Sequence, residues 1–352
     1  MNDIHKNNHV KVRYALSLLP ECIADVISDY HINNPYLLIN EIRLRRDKEI
    51  MITADTPKKR GSSKKPGYVT SAEDITLAVR GLCGGSVYAH SVTIVEGYIN
   101  CGFGIRAGLC GHAVLEAGRI TSITDFASVN IRIPGEIPGA GYIADDILRN
   151  FGNILICSPP GEGKTTVLRD LSVRLAGGVK YNVPLRVSVI DTRGELESHS
   201  EDSDEKFEFE LDIFSGYPRA AGIDIAVRTM SPDVIICDEI STADDIRSVI
   251  SASSSGVVTA SSVHAGSFSE LTRKRETKAL WESGAIAAAI FISRNKNGFR
   301  SIDITKKVRD KVMYIYFSDN NYNYAVVFSH IVSEEAVLAY IKKNERTDVF
   351  EL

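Results

Sequence analysis

The run SPPGEGKTT, Ser158 to Thr166, sets two glycines, a lysine and two threonines in the order that grips phosphate oxygens. Gly161 and Gly163 free the backbone to turn its N–H groups inward, and a helix starting at the lysine adds its positive end. On this reading Pro159, Pro160, Gly161, Glu162, Gly163, Lys164, Thr165 and Thr166 wrap the phosphates of ATP. Lys164 would reach the β- and γ-phosphates, and the Thr165 hydroxyl would ligate Mg²⁺. Ser158 stands where the usual G-x-x-x-x-G-K-[ST] spacing has its first glycine, so the loop is expected to deviate slightly while its GKTT end stays intact. The bland account of the same residues is a glycine-rich strand-to-helix turn with an incidental GKT.

A second stretch bears on that choice. DVIICDEIS, Asp233 to Ser241, is a continuously apolar run that ends in two carboxylates, which is costly unless both acids have work at the edge of a sheet. Asp238 is expected to complete the magnesium shell and Glu239 to orient or deprotonate an attacking water; the bland reading is an acidic cap on the next helix. Two further strand-like runs end on polar groups. RVSVIDTRGELE delivers Asp191, Arg193 and Glu195, and GVVTASSVHAGS delivers Ser262 and His264. Glu195 competes with Glu239 for the water-activating role, and both stay open. His264 is expected to hydrogen-bond the γ-phosphate, with a surface histidine in a turn as its plain counterpart. Guanine is disfavoured, because the nearest N-K-x-D candidate, Asn295-Lys296-Asn297-Gly298, ends in glycine.

These groups meet only if parallel strands carry them to one edge. Asn153 to Cys157 supplies a buried strand before the phosphate loop, and TTVLRDLSVRLA, from Thr165, a helix after it. Apolar strand-like and helix-like runs then alternate, the signature of an α/β fold whose mostly parallel sheet is joined by crossover helices. Ahead of it, Val10 to Tyr30 reads as an amphipathic helix broken at Pro20, Glu41–Arg45 and Glu49–Thr53 as paired strands, and Ser71 to Leu82 as a helix. Lys58 to Pro66 reads as an exposed basic hairpin tip, and Gly97 to Ile123 as a tight β-meander of short runs. IPGEIPGAG, Ile133 to Gly141, suits a linker. The expected organisation is a smaller α+β domain over 1–139, a P-loop domain over 140–305 and a C-terminal extension over 306–352 that carries the runs YIYF, YAVVF and SEEAVLAYIKKN.

The chain has 352 residues, 44% hydrophobic and 24% charged, with a formal net charge of -4, which gives no global attraction to nucleic acid or anionic lipid. Six cysteines without a CxxC pair read as reduced thiols of a cytoplasmic protein. The longest apolar stretch, Gly284 to Ile292, is too short for a membrane span. The acidic stretch His199 to Lys206 reads as a solvated loop.

GYPRAAGIDIAVRTMSPDVIICDEIS, together with SPPGEGKTTVLRDL, EIRLR, GFGIRAGLCG and VNIRIPGEIPG, resembles the stage III sporulation protein AA ATPases of spore-forming Firmicutes, themselves similar to the motor ATPases of type II and type IV secretion systems. The likeness runs from about Val12 to Thr305 and is carried most specifically by Arg228, Met230, Ser231 and Pro232 before the acid pair. The family's acidic box keeps Glu195 but has Thr192 for its first glutamate, Ser241 replaces a glycine, and a glycine-glycine-histidine-arginine run has become Gly102-Phe103-Gly104-Ile105-Arg106. The resemblance implies a RecA-like P-loop NTPase domain, ATP and Mg²⁺ as cofactors, and a homo-hexamer with sites at subunit interfaces. There Arg228, or else Arg106 or Arg132, would act on a neighbour's γ-phosphate. It further implies a mother-cell cytoplasmic location, peripheral at the forespore-facing membrane through membrane-embedded sporulation channel proteins, with no span of its own and no nucleic-acid partner. Two other readings remain open: a nucleic-acid-linked RecA-like ATPase that uses the Lys58–Lys65 region, and a scaffold that binds ATP with little hydrolysis.

Overall fold

The computed structural model describes residues 3–55, 61–135, 137, 139–178, 183–196, 211–294, 314–318, 322–329 and 331–343. The chain divides into two compact units between Glu136 and Ile137. The acidic stretch at 199–206, the Asn295–Gly298 run, and residues 306–313 and 344–352 of the expected extension lie outside the described residues.

The first unit begins with α1 (Asp3–Ser17) and α2 (Glu21–Ile32). Pro20 separates them in an extended conformation (φ -54°, ψ 141°), and its ring disfavours helical geometry at the preceding Leu19, beyond the end of α1. Then come β1 (Leu38–Arg45), β2 (Lys48–Glu49), β3 (Met51–Asp55), β4 (Ser62–Lys64), β5 (Val69–Thr70), α3 (Ala72–Leu82), α4 (Ser91–Val95), β6 (Tyr98–Asn100), β7 (Arg106–Glu116) and β8 (Arg119–Arg132). Ser71 caps α3 by a reciprocal pair: its hydroxyl accepts from Asp74 N–H, and the Asp74 carboxylate accepts from Ser71 N–H.

One sheet has the order β4-β3-β1-β8-β7-β6, with every pairing antiparallel. A register shift between Ile39 and Glu41 lets Ile39 face the core together with Ile42 and Leu44. Part of the basic run expected as a hairpin tip is therefore edge strand β4; residues 56–60 are outside the described set. The meander differs from its expected form too, since β7 and β8 are long, with 11 and 14 residues. Gly111 lies inside β7, not at a turn: a Cβ there would come within 2.6 Å of the Thr124 carbonyl, at a register shift between Cys110 and His112. The turn itself is Ala117–Gly118, both at positive φ (48° and 75°), as a two-residue hairpin requires.

The second unit contains α5 (Tyr142–Phe151), β9 (Ile154–Ser158), α6 (Lys164–Gly177), β10 (Val187–Asp191), β11 (Leu211–Ser215), α7 (Arg219–Thr229), β12 (Val234–Cys237), α8 (Ala243–Ser254), β13 (Val258–His264), α9 (Phe268–Arg273), α10 (Arg275–Glu282), β14 (Ala288–Arg294), β15 (Tyr314–Ser318), β16 (Tyr322–Phe328) and α11 (Glu334–Lys343). Its sheet runs β11-β10-β12-β13-β9-β14-β16-β15. The order is parallel from β11 through β14, and β16 then joins antiparallel, so the residues beyond 305 add strands and a helix to this same unit.

Successive strand residues serve different layers. Ile154, Ile156, Val189, Val234 and Ile236 face the layer of α5, α6 and α11, whereas Leu155, Cys157, Ile190, Ile235 and Cys237 face that of α7, α8 and α10. Both faces are covered, which is why these strands read as unbroken apolar runs, not as alternations. Among the described residues, no helix is long and apolar enough to cross a membrane.

Candidate functional site

All the parallel strands that carried candidate residues end at one edge. β9 ends at Ser158 and passes through Pro159–Gly163 into α6. Gly161 has φ +77° with nothing within 4 Å of the place a Cβ would take, and Gly163, at φ +110°, caps α6 in a left-handed conformation. Those two positions require glycine; position 158 does not. Ser158 is still extended strand, paired with His264 of β13, and its buried hydroxyl donates to Pro159 O at 2.8 Å. The missing first glycine thus falls before the turn begins.

Lys164 opens α6 with its side chain folded back beneath the loop. Its Nζ donates to Ser158 O (3.1 Å) and Pro159 O (3.3 Å) and lies 2.9 Å from His264 Nδ1. Burial lowers its pKa, opposed by the negative charges of Asp238 and Glu239. An ammonium has donors only, so His264 accepts at Nδ1 and carries its proton on Nε2. That proton points at Glu239 Oε1, 3.1 Å away. The other carboxylate oxygen of Glu239 is 2.5 Å from Arg193 Nη1. A continuous path therefore runs Lys164, His264, Glu239, Arg193.

Asp238 holds the second set of contacts. Its Oδ2 accepts from the Thr165 hydroxyl at 2.7 Å, and its Oδ1 accepts from the Ser262 hydroxyl. Glu239 sits at φ +55°, a region that costs a non-glycine residue about 1 kcal/mol or more and is kept only where the surroundings impose it. Asp191, 2% exposed, is consumed in building the neighbouring turn, where its carboxylate accepts from Glu195 N–H (2.9 Å) and Leu196 N–H (2.8 Å). Arg169, buried on α6, donates from Nε to Glu195 O at 3.1 Å and so ties that turn to the phosphate-loop helix. Thr192, Arg193, Glu195, Arg219, Asp238 and Glu239 line a small open cleft.

The edge thus gathers Pro159–Thr166, Glu195, Asp238, Glu239 and His264. Arg228 is not among them: it lies in the last turn of α7, exposed, with its Nε donating to Asp224 O of its own helix. Arg106 and Arg132 belong to the first unit, where they face each other across β7 and β8 and Arg106 stacks 3.7 Å over the Tyr98 ring. Sequence reasoning passed over Arg219. It is the first residue of α7, and a crossover helix starts at the carboxyl edge of the strand before it, which was the available signal. That strand, β11, went unread because it is only half-buried and follows a run dense in acids.

The donor set suits a magnesium-bound triphosphate. The loop offers open space at Gly161 and a buried cation, and a hydroxyl and a carboxylate that meet at 2.7 Å, Thr165 and Asp238, are oxygen donors of the kind that would hold a divalent ion.

Comparison with known proteins gives a family and a fold. The family described as sporulation stage III, protein AA, matches residues 11–309. The stage III sporulation protein AA of Bacillus subtilis (strain 168) is 31% identical over 285 residues, which is 79% of this chain and 90% of the relative. Among solved structures, the pilus retraction motor PilT with bound ADP is similar at a TM-score of 0.54 and 15% identity, covering 91% of this chain and 86% of that one. The ATPase DotB of Legionella pneumophila is similar at a TM-score of 0.50 and 15% identity, covering 79% and 77%. At such identities the structural likeness speaks for the fold.

Proposed function

This chain belongs to the sporulation stage III protein AA family, and from that premise we propose that it is a Mg²⁺-dependent ATPase of the secretion-motor type. The observation that carries the reading is the path from Lys164 through His264 to Glu239, which joins the phosphate-gripping end of the site to a carboxylate poised beside it. The backbone N–H groups of the loop and the start of α6 bind the β- and γ-phosphates. Lys164 exchanges the carbonyls of Ser158 and Pro159 for phosphate oxygens, a stronger, charge-assisted partnership. Thr165 and Asp238 would hold the metal ion, and Mg²⁺, when bound, would supply charge neutralisation for the phosphates. Glu239 orients the attacking water and takes its proton, and His264, once Lys164 leaves its Nδ1, turns its Nε2–H from Glu239 toward the γ-phosphate. Glu195 lines the same cleft as the rival base.

The assay is release of phosphate from Mg-ATP by the purified chain. Glu239→Gln should cut turnover to a small residual rate while nucleotide stays bound, and Glu195→Gln should leave turnover the larger; the reverse order assigns the base to Glu195, and an inert wild type removes the ATPase reading. The likeness to secretion motors supports a homo-hexamer in which Arg228, or else Arg106 or Arg132, reaches a neighbour's site. Mass measured with and without ATP tests this, a monomer in both counting against the ring. The family supports work in the mother cell at the forespore-facing membrane, docked on membrane-embedded sporulation channel proteins whose assembly or transport the hydrolysis drives. Pull-down from sporulating cells with the Glu239→Gln chain tests that placement.

A further inference from the structure

Glu239 owes its direction to the peptide that precedes it, and both ends of that peptide are held by side chains from other elements. The Asp238 carbonyl accepts from Arg219 Nε at 2.8 Å, and the Glu239 N–H donates to Ser262 Oγ at 2.9 Å. Ser262 is fully buried on β13, and a hydroxyl with one proton and two lone pairs satisfies both of its roles at once: it accepts from Glu239 and donates to the Asp238 carboxylate. One residue further on, Ile240 N–H donates to Ser262 O at 2.9 Å, fixing the chain beyond. Arg219 also turns its Nη2 to within 4.0 Å of Glu239 Oε2, with its side chain 17% exposed.

We propose that Arg219 is a positioning residue, which with Ser262 clamps the Asp238–Glu239 peptide and thereby aims the Glu239 carboxylate. A flip of that peptide changes ψ of Asp238 and φ of Glu239 together. It would return Glu239 from φ +55° to the region non-glycine residues prefer and, because the rotamers open to a side chain depend on its backbone angles, would let the carboxylate leave His264. The clamp opposes the flip from both sides, since a turned carbonyl loses the guanidinium and a turned N–H loses the serine. Arginine suits the task because one rigid plane offers Nε to a carbonyl and Nη2 toward a carboxylate; a lysine ammonium is a single point that serves one of the two. The conformational part of this inference stands on the geometry, and its catalytic part rests on the ATPase reading above.

The two parts are tested on the full chain by separate readouts. In a crystal structure of Arg219→Ala, Glu239 should leave positive φ and part from His264; Glu239 unchanged at positive φ on His264 overturns the clamp whatever the activity shows. In turnover assays Arg219→Ala should lower kcat about tenfold or more with KM for ATP within about threefold, and Ser262→Ala should move kcat the same way. Arg219→Lys should recover part of the loss. In a Glu239→Gln background the same Arg219→Ala change should alter the residual rate by less than about twofold, because residues that act as one unit are not additive. Equal losses in both backgrounds would show that Arg219 acts without Glu239 and would overturn the catalytic part. An inactive wild type removes the ATPase reading and leaves the crystal structure to decide the clamp. Arg219→Gln replaces Arg219→Ala in each arm if the alanine variant does not fold.

Discussion

The two edges of the parallel sheet carry similar residue types and use them oppositely. At the amino edge, just before β10 and β12, Arg186 meets Asp233 through its backbone N–H (2.9 Å), Nε (3.1 Å) and Nη2 (2.7 Å). Asn153, just before β9, donates to Ser253 Oγ and Ala285 O, both at 2.7 Å, and accepts from Thr259 N–H at 2.6 Å. The charges of Arg186 and Asp233 and the side-chain amide of Asn153 thus meet their complements within the fold. At the carboxyl edge the buried Lys164 contacts neutral carbonyls and an imidazole, and burial depresses its pKa. A cation so held gains from an arriving anion, because its hydration has already been given up. Completeness of pairing, not the presence of charge, separates a fastening from a receptor.

Substitutions at the two edges should therefore separate activity from stability. The largest effect belongs to Lys164→Ala, which should lower kcat/KM for Mg-ATP about a hundredfold or more, the scale of losing one charge-stabilising donor. Its urea midpoint should not fall, since a desolvated ammonium goes with it; a lower midpoint with unchanged turnover would erase the contrast. Asn153→Ala should do the reverse, costing about 2–3 kcal/mol in urea unfolding from the partners it orphans while leaving turnover per folded molecule intact. The smallest change is Asp233→Asn. The Arg186 hydrogen bonds hold the Asp233 carboxyl below its usual range, so their contribution is present at neutral pH and is lost as pH falls through that depressed value. Because both side chains are more than a third exposed (53% and 37%), the difference from wild type should be under about 1 kcal/mol at pH 7 and vanish in acid.

The sequence was most transparent where chemistry is local. Two glycines, a lysine and a threonine within a few positions sit on one turn, and the acid pair ends a strand whose unbroken apolar run reflects two covered faces. What stayed hidden depends on distant partners. Arg219 meets Asp238 across 19 positions and Asn153 meets Ala285 across 132, separations at which residue type gives no hint of contact. Ser158 looked like a defect of the phosphate loop because a motif counts positions; the fold shows that position to be still within β9. The glycines of Gly97 to Ile123 likewise read as a meander of short runs, whereas Gly111 is a close backbone approach inside a long ribbon.

The antiparallel β16 lies along the outer side of β14, the last strand of the parallel set, while the Tyr340 hydroxyl of α11 donates to the Asp146 carboxylate of α5. A fragment ending near 305, the span covered by the recognisable motifs, would bare the hydrogen-bonding rim of Ala288–Arg294 and strip Val326, Phe328, Val337 and Tyr340 from the core. Such an open rim is a template for pairing with other chains, so a piece of this half of the molecule meant to stay in solution should reach at least to Lys343.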